Sequence, residues 1–152
     1  MTPAEMKEVH DRHVAAEDRA DLEGALATYV EDCFYAVVAL GVRAEGKAAV
    51  RAIYTGTING LPDSKFEIQG EAFADDTLVA WGIFSATMTG PFLGQEPTNR
   101  RFELPMIAIN SFRDGLMAGE RIYFDLATLC EQAGLDLSKM RDAFRPARTP
   151  VA

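Results

Sequence analysis

Reactive side chains are few in this chain, which holds two histidines and two cysteines in 152 residues. Cys33 and Cys130 stand far apart with no CxxC spacing, so neither a zinc site nor a thiol redox pair is expected. Free thiols in a reducing, cytoplasmic compartment are the simplest reading. Basic residues are outnumbered, and the net charge of −8 argues against nucleic acid, whose phosphates draw on clustered Lys and Arg. The small basic groups, Arg100-Arg101 and Arg141, Arg145 and Arg148, read as solvated surface. No apolar run approaches the roughly 18–20 residues of a membrane span, and the N-terminus lacks the basic-then-apolar order of a secretory signal. Gly41 to Lys47 has P-loop spacing, but Ala48 stands where a hydroxyl residue is required. No Gly-x-Ser-x-Gly elbow is present. Metal and cofactor are therefore both expected to be none.

The sequence does carry a full complement of core-forming residues, 48% hydrophobic against 25% charged, in a length that fits one domain of roughly 100–150 residues. Met6, Val9, His13 and Ala16 recur at helical spacing within a helix from Ala4 to Arg19. Asp21 can cap a second helix from Leu22 to Val30, with Tyr29 and Val30 on its inner side. A strand is expected from Cys33 to Val42 and a third helix from Lys47 to Thr57, closed by Asn59-Gly60. The period then changes to two. Strands are expected at Phe66 to Phe73, Leu78 to Gly90, Arg101 to Phe112 and Leu116 to Phe124, then a short helix from Asp125 to Ala133 ended by Gly134. Residues 1–137 form the domain; residues 138–152, with Pro146 and Pro150, read as a tail that frays or lies on the surface. Three helices before a meander of long strands predict an α+β fold.

Particular stretches resemble a known family. Thr87 to Arg101 is similar to the Gly-x-Pro-Pro-Thr-Gly-Arg-like connection of SnoaL-like polyketide cyclases, members of the nuclear-transport-factor-2-like superfamily. Phe112-Arg-Asp-Gly, Glu120-Arg-Ile-Tyr-Phe-Asp and Leu129-Cys-Glu-Gln-Ala-Gly-Leu look like that family's closing hairpin, last strand and C-terminal helix. His13 to Asp32 is also typical of it. The resemblance implies a cone-shaped barrel: three N-terminal helices packed on a strongly curved mixed or antiparallel sheet, with a short C-terminal helix and an apolar cavity. It also implies a homodimer formed through the outer sheet face, where Ile107 and Ile109 would lie. The family's characterised cyclases carry an Asp on the last strand and a His on the preceding one. Here those positions are Ile122 and Ala108, and neither carries a proton. The base of the related isomerases falls near Val37, and the Arg/Asp pair of the epoxide hydrolases near Ile83 and Ser85.

Other polar groups must then supply any chemistry. His13 faces the sheet on its helix stripe, where it can donate to a carbonyl or act as a base; His10, one position round, is expected to be exposed. Glu17, four residues on, shares the face of His13 and can orient it. Strand alternation puts Phe102, Met106 and Asn110 inward with Ala108, and Glu120 and Phe124 inward with Ile122. Asp125 is a helix cap or, turned by a bulge, a second acid. Tyr35, Tyr54, Trp81, Ile122 and Tyr123 complete the expected substrate-binding set. Catalytic candidates are thus His13, Glu17, Glu120 and Asp125, with a small apolar molecule as partner. The implied function is cofactor-independent acid/base chemistry (cyclisation, isomerisation, dehydration or epoxide opening). The alternative is a non-catalytic domain that binds a lipophilic molecule.

Overall fold

The structure is a computed structural model that describes residues 1–144. Helix α1 (Pro3–Glu17) opens with a capping box, in which Thr2 accepts from the Glu5 amide and Glu5 accepts from the Thr2 amide. After α2 (Leu22–Ala27), capped by Asp21, the chain enters β1 (Tyr29–Val37), β2 (Val42–Glu45) and α3 (Lys47–Gly60). The long strands follow: β3 (Lys65–Ala74), β4 (Thr77–Thr87), β5 (Arg101–Arg113) and β6 (Leu116–Phe124). Helices α4 (Leu126–Ala133) and α5 (Leu137–Phe144) close the described chain.

All six strands form one sheet in the order β2-β1-β6-β5-β4-β3. The β1–β6 pair is parallel and every other pair antiparallel, so the sheet is mixed. It does not close: β2 and β3 are free edges, and α1, α2 and α3 lie across the inner face between them. Alternation on β5 is regular, with Phe102, Leu104, Met106, Ala108, Asn110 and Phe112 buried and their neighbours turned outward. Gly82 of β4 is required by closeness rather than by a turn, because a Cβ there would meet the Glu67 carbonyl oxygen of β3 at 2.0 Å.

Several expected boundaries move. Tyr29 and Val30 leave the second helix and start β1, because Thr28 already caps α2. The single strand expected over Cys33 to Val42 is a hairpin, broken by a 3-10 turn at Val38–Leu40 and by Gly41 at φ +66°. The helix Leu137–Phe144 runs from the last residue of the expected domain into the expected tail. Asp136 accepts from the amides of Ser138 and Lys139, and Met140 is fully buried against Cys130. The rest of that tail, with Arg145, Pro146, Arg148 and Pro150, lies outside the described residues.

Buried side chains fall into two clusters. One, built on Met6, Val9, Leu26, Tyr29, Met106 and Ile122, lies under α1–α3. The other, built on Leu61, Met88, Phe102, Leu104, Leu129 and Met140, lies under α4 and α5. Tyr54, Met106 and Ile122 of the first face Leu61, Phe102 and Leu129 of the second across a cavity of about 130 Å³. The packing thus leaves a space between two well-filled regions instead of fusing them.

Candidate active site

Apolar residues form most of the cavity wall; besides Asp18, Asp21, Ser64 and Lys65, its polar groups come from α1, α3, β1 and β6. His13 is 1% exposed on the buried stripe of α1. Its Nδ1 lies 2.8 Å from Thr28 Oγ1, and that hydroxyl donates to the Ala25 carbonyl at 2.6 Å. With its proton committed there, the hydroxyl can only accept from the imidazole. Nδ1 therefore carries a hydrogen and Nε2 is the nitrogen that gains or loses a proton. Around Nε2 stand the Tyr54 hydroxyl at 3.0 Å, Glu17 Oε1 at 3.4 Å and Glu120 Oε2 at 3.9 Å.

Glu120 reaches the cluster from β6, two residues before Ile122 and so on the same face. Its Oε2 accepts from Tyr29 at 2.9 Å and from Tyr54 at 3.3 Å, and the two phenol oxygens are 3.2 Å apart. Every one of these contacts falls on Oε2, and among the described residues none is made to Oε1. Tyr35 packs edge-on against Tyr54 at 5.4 Å between ring centres and joins the cavity wall.

Charge in this cluster is unevenly shared. Burial, then the neighbouring Glu17 charge, pushes the Glu120 carboxyl up to about 7, although His13 and the two phenols pull it back. For His13, burial acts downward, but the charge and hydrogen bond of Glu17 and the charge of Glu120 outweigh it, and its pKa ends above the usual value. Glu17 moves the other way: burial raises it, while the His13 charge and hydrogen bonds from His13 and Tyr54 bring it below the ordinary range. Burial drives Tyr29, Tyr35 and Tyr54 well above 10, so they remain donors. The result is a His13–Glu17 pair shifted toward its imidazolium–carboxylate form, beside a second carboxyl displaced to about 7 that can take or give a proton.

The structure brings His13, Glu17, Glu120, Tyr35, Tyr54, Phe102, Met106, Ile122 and Phe124 to this cavity. Four expected members are elsewhere. Asp125 is the α4 cap, accepting from the Ala127 amide at 3.0 Å and the Thr128 hydroxyl at 2.6 Å; hydrogen bonds from Thr128 and Ala127 hold its carboxyl below the usual range. Trp81 and Tyr123 have outward parity and are 41% and 37% exposed; the indole of Trp81 lies over Gly70 of β3. Asn110 is inward but is not part of the cavity wall, and neither of its amide atoms has a hydrogen-bond partner among the described residues. His10, expected at the surface, is 2% exposed, because it lies on the same stripe as Met6 and His13. Sequence reasoning misses Tyr29 and Thr28 as site residues because both read as ordinary positions of the second helix.

An open mixed sheet wrapped by N-terminal helices around an apolar cavity with ionisable groups at one end is the nuclear-transport-factor-2-like, ketosteroid isomerase-like class of fold. The model of the SnoaL-like polyketide cyclase family matches residues 7–133, and the chain belongs to that family. Among solved structures it is similar to AclR, a proposed hydroxylase from Streptomyces galilaeus, with TM-score 0.74 and 23% identity over 88% of this chain and 98% of that one. It is similar also to IdmH, a proposed polyketide cyclase from Streptomyces antibioticus, with TM-score 0.71 and 20% identity over 86% and 99% of the two chains. A protein of ketosteroid isomerase-like fold from Catenulispora acidiphila, in complex with trimethylamine, gives TM-score 0.73 and 19% identity over 90% and 96%. At such identities the likeness establishes fold and not reaction. No curated protein matches the chain. Ala108 and Ile122 are direct cross-strand partners, and neither side chain can carry a proton. None of the described helices is long and apolar enough to cross a membrane.

Proposed function

We propose that this protein is a cofactor-independent acid/base enzyme acting on a small, largely apolar, oxygenated molecule by cyclisation, isomerisation, dehydration or epoxide opening. The observation that carries the reading is the meeting of His13, Glu17, Glu120 and Tyr54 at one end of an apolar cavity. Protonated His13, its Nδ1–H held by Thr28 and its protonated form favoured by the Glu17 charge, donates through Nε2 to a substrate oxygen. Glu120, titrating near neutrality, removes or returns the proton. Tyr54 touches both groups and stabilises whichever oxygen is anionic, since pre-aimed donors act where charge develops. Phe102, Met106, Ile122 and Phe124 exclude water around the carbon skeleton.

A panel of cyclic enones, epoxides and polyketide fragments incubated in D2O, followed by NMR, tests this reading. Turnover or carbon-bound deuterium above the buffer rate is expected, falling about 100-fold or more in His13→Ala and in Glu120→Gln. Carbon at positions 108 and 122 supports the second reading, a binding domain for a lipophilic molecule. Binding of panel members without any turnover or exchange selects it. We infer as well a homodimer through the outer sheet face, where Trp81, Ile107 and Tyr123 form a row of exposed cross-strand neighbours. Sedimentation showing only monomer at micromolar concentration would remove it.

A further inference from the structure

Both histidines of the chain lie on α1 and both are buried, yet the chemistry above uses only one. His10 sits one helical turn before His13, and its ring forms part of the same cavity wall. Its Nδ1 lies 3.3 Å from Glu71 Oε1 on β3, and neither atom has a hydrogen bond of good alignment to any described residue. Behind them, Glu71 Oε2 is 3.2 Å from Lys7 Nζ, which donates to Asp11 at 2.8 Å. A buried ring nitrogen costs stability unless it is partnered, and Glu71 is the partner within reach of Nδ1. Catalytic hydrogen bonds in unliganded proteins are often loosely aligned and tighten when substrate binds.

We propose that His10 is a second catalytic residue of this cavity, with Glu71 fixing its tautomer so that the bare Nε2 takes a proton from a substrate hydroxyl or activated C–H group. The idea rests on the acid/base reading above and deepens it by separating the base from the acid. In the step, the substrate O–H or C–H bond breaks with its electron pair left on the substrate, and an N–H bond forms at His10 Nε2. The protonated Glu120 carboxyl, or His13, gives a proton to a different substrate atom, so the total charge is unchanged. Proton return from His10 through solvent resets the pair. The surroundings suit this division. Burial, then the His13 charge, lowers the His10 pKa against the opposing pull of Glu71 and Glu17, whereas that of His13 is raised. Besides these, Lys7 of α1 bridges Glu71 and Asp11, and Glu120 of β6 lines the same cavity. His10, Asp11 and Glu71 also offer ligand atoms within 4.8 Å of one another, but the Lys7 ammonium already spans the two carboxylates.

Long-range nitrogen–proton NMR of the full-length protein from pH 5 to 9 tests the proposal directly, since only two histidines contribute and His10→Gln assigns them. The expected result is a neutral Nδ1–H tautomer for His10 at pH 7, with a midpoint below 6.5 and that of His13 above it. Glu71→Gln should lower the His10 midpoint further, because the Glu71 charge and hydrogen bond oppose the lowering. With cyclohex-2-enone in D2O, His10→Gln is expected to slow deuterium incorporation about tenfold or more while leaving the His13 titration in place. An Nε2–H tautomer, an imidazolium at pH 7, or exchange that needs His13 but not His10 overturns the role of His10 alone. Loss of the His10 signals on adding micromolar zinc overturns it in favour of a metal site. Absence of exchange in the unmodified protein overturns the acid/base reading as a whole, whatever the tautomer.

Discussion

Replacing Glu120 by glutamine should make the protein more stable above pH 7 while removing a proton carrier that the proposed chemistry needs. The buried carboxyl is displaced from 4.5 to about 7, so the folded state holds its proton over a range where the unfolded chain has lost it. Stability that depends on this group is complete below about pH 4.5 and is lost as pH rises through 7. At about 1.4 kcal/mol per pH unit the full displacement amounts to about 3 kcal/mol, most of it falling between pH 5 and 8. The glutamine side chain keeps an oxygen for Tyr29 and Tyr54 but cannot ionise. His13 also contributes stability that fades as pH rises, because its pKa is raised, whereas Glu17 contributes stability that fades as pH falls, because its pKa is lowered. Comparing the two proteins at each pH removes most of these shared contributions. The assay is urea unfolding of both proteins from pH 5 to 8.5. The variant should gain about 3 kcal/mol on the unmodified protein across the range, with no change in the slope against urea. A constant difference between the two curves would show that Glu120 ionises normally and that its environment has been misjudged.

Other perturbations separate structure from chemistry. Asp125→Ala should cost about 1 kcal/mol by thermal or urea unfolding through loss of the α4 cap and leave any turnover unchanged. Asn110→Leu removes a fully buried amide with no hydrogen-bond partner among the described residues; urea unfolding should show unchanged stability or a gain of about 1–3 kcal/mol. Gly82→Ala drives a methyl into the Glu67 carbonyl and should destabilise by about 1–3 kcal/mol, read as a lower midpoint at unchanged ligand affinity.

Much of the fold is legible in the sequence because the long strands repeat with period two and are bounded by turn residues. The strand expected from Leu116 to Phe124 matches β6 end to end. Parity with Ile122 puts Glu120 inside, and helical spacing puts His13 inside. The misplaced residues have physical explanations. Trp81 groups with the cavity on its size, although its odd-numbered position on β4 turns it outward while Leu78, Ala80 and Gly82 face in. His10 reads as exposed because the apolar stripe is drawn through Met6, Val9, His13 and Ala16; the buried face of α1 is wider and includes His10, which meets Glu71 of β3 in a contact invisible to local pattern. Tyr29 is hidden by the short α2, whose end at Thr28 is set by tertiary packing and not by a Pro or Gly stop signal.

The outward position of Trp81 has an optical consequence. It is the sole tryptophan of the chain, and it stands on the face of the sheet opposite the cavity. Its emission will therefore be nearly blind to a molecule entering between the two core clusters. A blue shift on raising protein concentration would instead report something settling over the outer row it shares with Ile107 and Tyr123, giving a spectroscopic signal for association that is independent of occupancy inside.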